Sequence, residues 1–361
     1  MSEVFISYGS LITPLGNSEE QIFQKMVVGE SGIQTVLGAG YKNENIPLGK
    51  IQELSSDNHY VELLNAACDQ LIGLYGDLVA EKATKIIISS TKADIGVIPD
   101  DSFESTRKII NSKLNNNGEP LIISNACISG ILAINTAADY ISHGLFDNVI
   151  VIGIDVLSDF VTFGFQSLYA ISAERTQPFD KSRKGINLGE AVGAVLLSKK
   201  NVGKTFTAKY LGGSSSNDAN HISGPSRTGE GLFRSINKTL ERSKVNSESI
   251  DFISAHGTGT IYNDEMESIA FNRLGMGSTP LNSMKGFFGH TLGAAGVIEV
   301  ICSMKMMEHQ LLIKNLGIEE VGVSGKINIL DKNLETSVQT ILKTGSGFGG
   351  GNASLIIQNI G

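Results

Sequence analysis

The sequence predicts an α/β protein built on a mainly parallel sheet with helices on its faces. Short apolar runs bounded by turn residues recur along the chain, and helix-length stretches with one apolar face lie between them. Strands that alternate with helices favour parallel pairing, because a crossover must return the chain to the starting edge. Size agrees with this. A chain of 361 residues forms two domains or one large internally duplicated unit, and either buries a core without disulfides or metals.

The strand-like runs are Ile86–Ser90, Leu121–Ser124, Val149–Gly153, Val192–Leu197, Asp251–Ala255 and Ser354–Gln358. Ile131, Ile134, Ala138 and Ile141 share one helical face and place a helix just after Cys127. Two segments echo each other. Cys127-Ile-Ser-Gly130 precedes a long apolar helix, and His290-Thr-Leu-Gly293 precedes another that runs through Met307. The echo predicts a duplication, with halves 1–200 and 201–361 and a seam near Asn201–Phe206. Gly212–Ser216 and Asn115–Gly118 read as loops, the latter turning a helix into the strand that leads to Cys127.

A net charge of −8 argues against a general nucleic-acid binder, since no basic stripe dominates. The three cysteines, Cys68, Cys127 and Cys302, are few, odd in number and far apart. That suits a reducing cytoplasm better than a disulfide scaffold. The start, MSEVFISYGS, lacks the basic and apolar regions of a signal peptide. No apolar run approaches the roughly 18 residues of a membrane span.

Two common nucleotide motifs fail on context. Gly345-Ser-Gly347-Phe-Gly349-Gly350 fits GxGxxG, but a strand-like run follows where a dinucleotide site needs a helix. Gly203-Lys204-Thr205 resembles the end of a phosphate loop, but Ser198 stands where its first glycine belongs. Cys127 is different from the other cysteines. A strand ends before it and a small-residue helix begins at it, so the helix dipole and free N–H groups favour thiolate. Cys68 and Cys302 lie inside amphipathic helices and read as buried structural thiols. His256 opens Ala255-His-Gly-Thr-Gly-Thr260 after a buried strand, a loop with room for close approach and two hydroxyls to bond a ligand. His290 sits at a helix start, with Lys285 five residues before it and Glu299 nine after. His59, His143, His221 and His309 read as surface or capping residues.

Ala-Cys-x-Ser-Gly, Ala-His-Gly-Thr-x-Thr and Lys-x-x-x-Gly-His-x-x-Gly-Ala-Ala-Gly, in this order, resemble the elongating β-ketoacyl-carrier-protein synthases and polyketide ketosynthases. Pro178-Phe-Asp-x-x-Arg183-x-Gly-x-x-x-Gly-Glu190 resembles the family's central signature. Gly164-Phe165 before Tyr169-Ala-Ile-Ser172 resembles the acyl-pocket segment. Asp264 and Glu267 follow His256 at the family's spacing, and Gly347-Phe348-Gly-Gly-Gly-Asn352 resembles its C-terminal glycine loop. The resemblance runs nearly end to end. Ile128, Ala191 and Asn263 depart from it, and only about 37 residues separate Ser90 from Cys127, fewer than the family usually has.

The resemblance implies a thiolase-like, five-layered αβαβα fold of two duplicated halves. It implies a Cys127–His256–His290 triad, with Lys285 and Glu299 orienting His290. Thr258 and Thr260 would contact pantetheine, Phe165 and Phe348 would line or gate the acyl site, and the N–H groups of Cys127 and Phe348 would form an oxyanion hole. It implies decarboxylative condensation with a malonyl unit, no metal or nucleotide cofactor, acyl carrier protein as partner, and a homodimer or a heterodimer with a paralogue. A chain-length-factor-like subunit is the first alternative, opposed by the intact Cys127. A biosynthetic thiolase is the second, opposed by Phe348 where thiolases carry a second cysteine.

Overall fold

The computed structural model describes residues 2–54, 58–95, 102–116, 118–218 and 224–360. A sheet of 11 strands runs through it. In spatial order these are Asn328–Ile329, Pro280–Asn282, Phe252–Ser254, Thr340–Ser346, Gly351–Asn359, Thr207–Asn217, Val4–Ile12, Ala191–Ser198, Asn148–Asp155, Thr84–Ser89 and Leu121–Ile123. All six runs singled out in the sequence are strands. The sheet is not mainly parallel, however. Its two ends are parallel, but every pairing from Thr340–Ser346 across to Asn148–Asp155 is antiparallel. Antiparallel neighbours need no crossover helix. The turn at Gly347–Gly350 joins two of them directly, which also explains why GxGxxG there leads into a strand.

Counting outward from Val4–Ile12, the strands of the first half appear in the order first, fifth, fourth, second, third. Counting outward from Thr207–Asn217, the second half gives the same order and the same senses, with Asn328–Ile329 added at its outer end. The two first strands pair with each other, Val4 opposite Tyr210.

Alternate residues of the strands face different cores. Ile86, Ile88, Ile150 and Ile152 pack with helix His59–Tyr75 and helix Ser102–Leu114. Ile87, Val149 and Val151 face the other way, into a core shared with Ile341, Leu355 and Ile357 of the second half. Helix Ser129–Ser142 and helix Ala295–His309 fill that core. Leu342, Ile356 and Ile253 face a third core with helix Glu230–Ser243 and helix Ile261–Arg273. Three cores between outer helices, one half of the sheet, central helices, the other half of the sheet and outer helices give the five αβαβα layers.

The two central helices approach at glycines. A Cβ on Gly296 would lie 2.6 Å from the Ile131 nitrogen, and one on Gly130 would lie 3.0 Å from the Gly296 Cα. Helix Ala295–His309 is buried at every residue from Ala295 to Met307. Cys302 is therefore in a helix buried on all sides from Ala295 to Met307, not the expected amphipathic one, because the second half of the sheet covers the face that would meet water.

Gly212–Ser216 is also corrected. It belongs to strand Thr207–Asn217 and pairs along Gly351–Asn359. Its small residues reflect crowding rather than a turn: a Cβ on Gly213 would meet Asn135 at 2.1 Å, and one on Gly212 would meet Ser243 at 2.6 Å. Asn115 ends helix Ser102–Leu114 with φ 47°; Asn117 lies outside the described residues. So does His221. His143 makes the expected cap, with Nδ1 on the Asp139 carbonyl at 2.8 Å. His309 stacks on Phe23. His59 differs from the surface reading, because its Nδ1 meets buried Glu190 at 3.0 Å.

Candidate active site

Cys127 follows strand Leu121–Ile123 in a tight turn. Ala126 holds φ 44°, and Ser129 Oγ accepts from the Asn125 N–H at 2.7 Å and donates to the Ala126 carbonyl at 2.7 Å. This turn lifts the sulphur out of the sheet end and into a cavity of about 370 Å³.

His256 follows strand Phe252–Ser254. Carboxylates from helix Ile261–Arg273 hold the backbone of its loop. Glu267 accepts from the His256 N–H at 2.8 Å and the Gly257 N–H at 2.6 Å, and Asp264 accepts from the Thr258 N–H at 3.0 Å. Gly257 has φ 41°, and a Cβ there would fall 2.5 Å from that of Ser283. With its N–H groups held from behind, the loop presents its side chains to the cavity. Thr258 and Thr260 line it, their hydroxyls 2.8 Å apart.

His290 is fixed through its backbone: its N–H donates to the Asn187 carbonyl at 2.7 Å, and its carbonyl accepts from the Gly189 N–H at 3.0 Å. Its Nε2 lies 2.9 Å from Cys127 Sγ, and its ring centroid lies 5.3 Å from that of His256, edge to face. Phe165 and Phe348 stack at 5.3 Å in the cavity wall.

Behind the histidines lies a buried charge cluster. Lys285 Nζ donates to Glu299 at 2.8 Å and to the His256 carbonyl at 2.6 Å. Lys343 Nζ meets the other oxygen of Glu299 at 2.6 Å and the carbonyls of Ser254 and Ala255 at 3.0 and 3.2 Å. Lys285 and Lys343 thus grip the backbone from Ser254 to His256, and Glu299 holds the two lysines together. Lys285 and Glu299 were expected to orient His290. Neither bonds the His290 ring, whose Nδ1 has no hydrogen-bond partner among the described residues.

Burial sets the protonation states. It raises the carboxyl of Glu299, but Lys285 and Lys343 outweigh it and hold the group below its ordinary value. Burial, then Lys285, holds both histidines well below the ordinary imidazole value, so both are neutral. Burial and the charge of Asp264 push Glu267 up to about 7. For Cys127 the thiolate expectation is corrected: burial pushes the thiol up to about 11, against the pull of Lys285 and of the Phe348 and Cys127 N–H groups. The helix itself begins two residues later, at Ser129. The resting pair is therefore a thiol facing a neutral imidazole, whose Nε2 can accept its proton.

The β-ketoacyl synthase N-terminal domain matches residues 92–202, and the corresponding C-terminal domain matches residues 207–319. The chain belongs to the β-ketoacyl synthase family. A 3-oxoacyl-[acyl-carrier-protein] synthase 2 of Rhizobium meliloti is 32% identical over 249 residues, 64% of this chain and 59% of that protein. A putative polyketide β-ketoacyl synthase 1 of Streptomyces virginiae is 28% identical over 256 residues, 67% of this chain and 61% of that protein. The matched stretches thus span about three-fifths of these relatives' length. Among solved structures, a ketosynthase from Xenorhabdus doucetiae in complex with its chain length factor superposes with a TM-score of 0.90, at 26% identity, over 99% of this chain and 98% of that one.

Within this family site, the sequence reading named Cys127, His256, His290, Lys285, Glu299, Thr258, Thr260, Phe165 and Phe348, and the structure brings all nine to one cavity or directly behind it. It missed Lys343. The available signal was a lone lysine inside the strand run Thr340–Ser346, every residue of which is buried. The ligand atoms of Cys127, His256 and His290 lie within 4.8 Å of one another, a group that could hold a metal ion.

Proposed function

We propose that the chain is a β-ketoacyl-acyl-carrier-protein synthase that joins an acyl group held on Cys127 to a malonyl-derived unit in fatty acid or polyketide synthesis. The observation that carries this is the 2.9 Å contact between Cys127 Sγ and neutral His290 Nε2, with His256 beside it on a cavity floor. In loading, Cys127 gives its proton to His290 and attacks the acyl thioester carbonyl. The carrier thiol leaves and takes that proton. The N–H groups of Cys127 and Phe348, which face the sulphur, would hold the oxyanion. The pantetheine arm would run past Thr258 and Thr260 and under the Phe165–Phe348 stack.

In condensation, a malonyl thioester loses carbon dioxide and keeps the bonding pair as an enolate. The two imidazoles stabilise its oxygen. The enolate carbon attacks the Cys127 thioester, the C–S bond breaks, and the thiolate takes up a proton. The residues complete this sequence without a metal or nucleotide, and the substrates arrive on the phosphopantetheine of an acyl carrier protein. Intact Cys127 disfavours a chain-length-factor role, and Phe348 disfavours a thiolase.

The functional unit is a dimer, with itself or with a paralogue, formed through the edge strand Leu121–Ile123 and burying more than about 2,000 Å². The cytoplasm suits three free cysteines, and among the described residues no helix is long and apolar enough to cross a membrane. Incubation with acyl-carrier thioesters should leave a mass adduct on Cys127 alone. An adduct on Cys68 or Cys302 with Cys127 free overturns the assignment. His290→Ala should acylate Cys127 only slowly, because the thiol loses its proton acceptor, and should release no carbon dioxide from the malonyl carrier. A stable, active monomer by light scattering at micromolar concentration rules out the dimer.

A further inference from the structure

Strand Thr340–Ser346 is buried along its whole length, and its pleat divides two cores. Ile341 packs in the central layer and Leu342 in the outer one. Lys343 shares the face of Ile341 and points toward helix Ala295–His309, where it meets Glu299. A lysine in such a strand is costly unless paired. Yet Glu299 already has a cation, since Lys285 bonds its other oxygen at 2.8 Å. Charge balance of Glu299 alone does not explain a second lysine. Both ammonium groups also grip one stretch of backbone: Lys343 the carbonyls of Ser254 and Ala255, Lys285 that of His256.

We infer that Lys343 is a positioning residue for the histidine pair: it shares Glu299 with Lys285, fixes the strand end that delivers His256, and places a second buried cation behind both imidazoles. The charged and titratable groups around the pair come from several elements. Helix Ala295–His309 supplies Glu299. Helix Ile261–Arg273 supplies Glu267 and Asp264, the latter facing Arg183 at 3.8 Å. Asp155, paired with Lys92 at 3.1 Å, lies behind Cys127, and Lys184 and Asp218 line the same cavity. After burial, the two lysines act in the same direction on His256 and on His290, keeping both rings neutral. A neutral His290 can accept the Cys127 proton, and removing Lys343 lets the pair protonate at higher pH. The role of the pair toward an enolate rests on the condensation reading. The geometry of Lys343 does not.

The test is the pH dependence of Cys127 alkylation by iodoacetamide, followed by peptide mass spectrometry, in wild type, Lys343→Met and Lys343→Arg. The acid limb should move to higher pH by about one unit in the methionine variant, the size expected from removing a nearby charge in a partly screened interior. The arginine variant keeps the charge but not the geometry, so its limb should stay while kcat for carbon dioxide release falls at unchanged KM. A folded methionine variant with the wild-type limb overturns the inference. So does an arginine variant with wild-type kcat, or with a shifted limb. If the methionine variant does not fold, imidazole carbon NMR of the wild type decides the charge effect. Both rings should titrate below the ordinary imidazole value, and either one half-protonated at or above about pH 6.5 overturns it. Should the wild type release no carbon dioxide from a malonyl carrier, the condensation reading falls while the alkylation limb still judges Lys343.

Discussion

Replacing Gly296 by alanine tests whether the spacing of the two central helices sets the catalytic contact. The new Cβ would stand 2.6 Å from the Ile131 nitrogen, 2.9 Å from Ile131 Cγ1 and 3.0 Å from the Gly130 carbonyl carbon. Two of these three atoms are backbone in the first turn of helix Ser129–Ser142 and cannot swing aside. Ordinary contact at 3.4 Å requires the helices to part by about 0.8 Å. One helix begins just after Cys127, at Ser129, and the other is joined to His290 by the turn Leu292–Ala294, so their parting widens the 2.9 Å sulphur–nitrogen contact. Misplacement of this size costs about 10²-fold in rate, and overpacking a core costs about 1–3 kcal/mol in stability. The assays are acyl loading of Cys127 by mass spectrometry, carbon dioxide release, and thermal unfolding. Gly73→Ala is the control, since a Cβ there meets nothing within 4 Å, and it should leave rates unchanged and stability equal or slightly higher. A Gly296→Ala protein that loads and condenses at the wild-type rate would refute the reasoning.

Both active-site histidines are held neutral in the fold, so unfolding takes up protons below the unfolded value of about 6.5. His290 therefore contributes stability that is complete above about pH 6.5 and is lost as pH falls. The stability of wild type relative to His290→Asn should drop by about 1.4 kcal/mol per pH unit below that point, as measured by denaturant titration; a pH-independent difference contradicts a neutral buried ring. Phe348→Ala removes the stack on Phe165, worth about 1 kcal/mol, and opens the cavity to water. The acyl–Cys127 adduct should hydrolyse faster on a mass-spectrometric time course, and an unchanged lifetime denies Phe348 a covering role. Dialysis against EDTA should leave carbon dioxide release intact; a loss restored by zinc would instead assign the Cys127–His256–His290 cluster to a metal.

The sequence alone was enough to single out the residues that the fold gathers at the cavity, because each sits in a distinctive local backbone pattern. Cys127 needs a strand-to-helix turn, His256 a glycine-flanked loop after a buried strand, and His290 a glycine-led helix start, and all three are written within a few consecutive residues. The six strand runs were legible for the same reason. What the chain could not reveal locally was decided by pairing between distant segments. Val4–Ile12 bridges the two halves, Gly212–Ser216 extends into a strand only because Gly351–Asn359 lies beside it, and the middle of the sheet turns antiparallel. Helix Ala295–His309 has no exposed face because the second half of the sheet covers it. The sign of the Cys127 shift, and the meeting of Lys285, Lys343 and Glu299, likewise depend on burial and charges brought together from far along the chain. Local sequence dictates backbone shape, whereas desolvation and Coulomb interaction depend on which distant groups the fold makes neighbours.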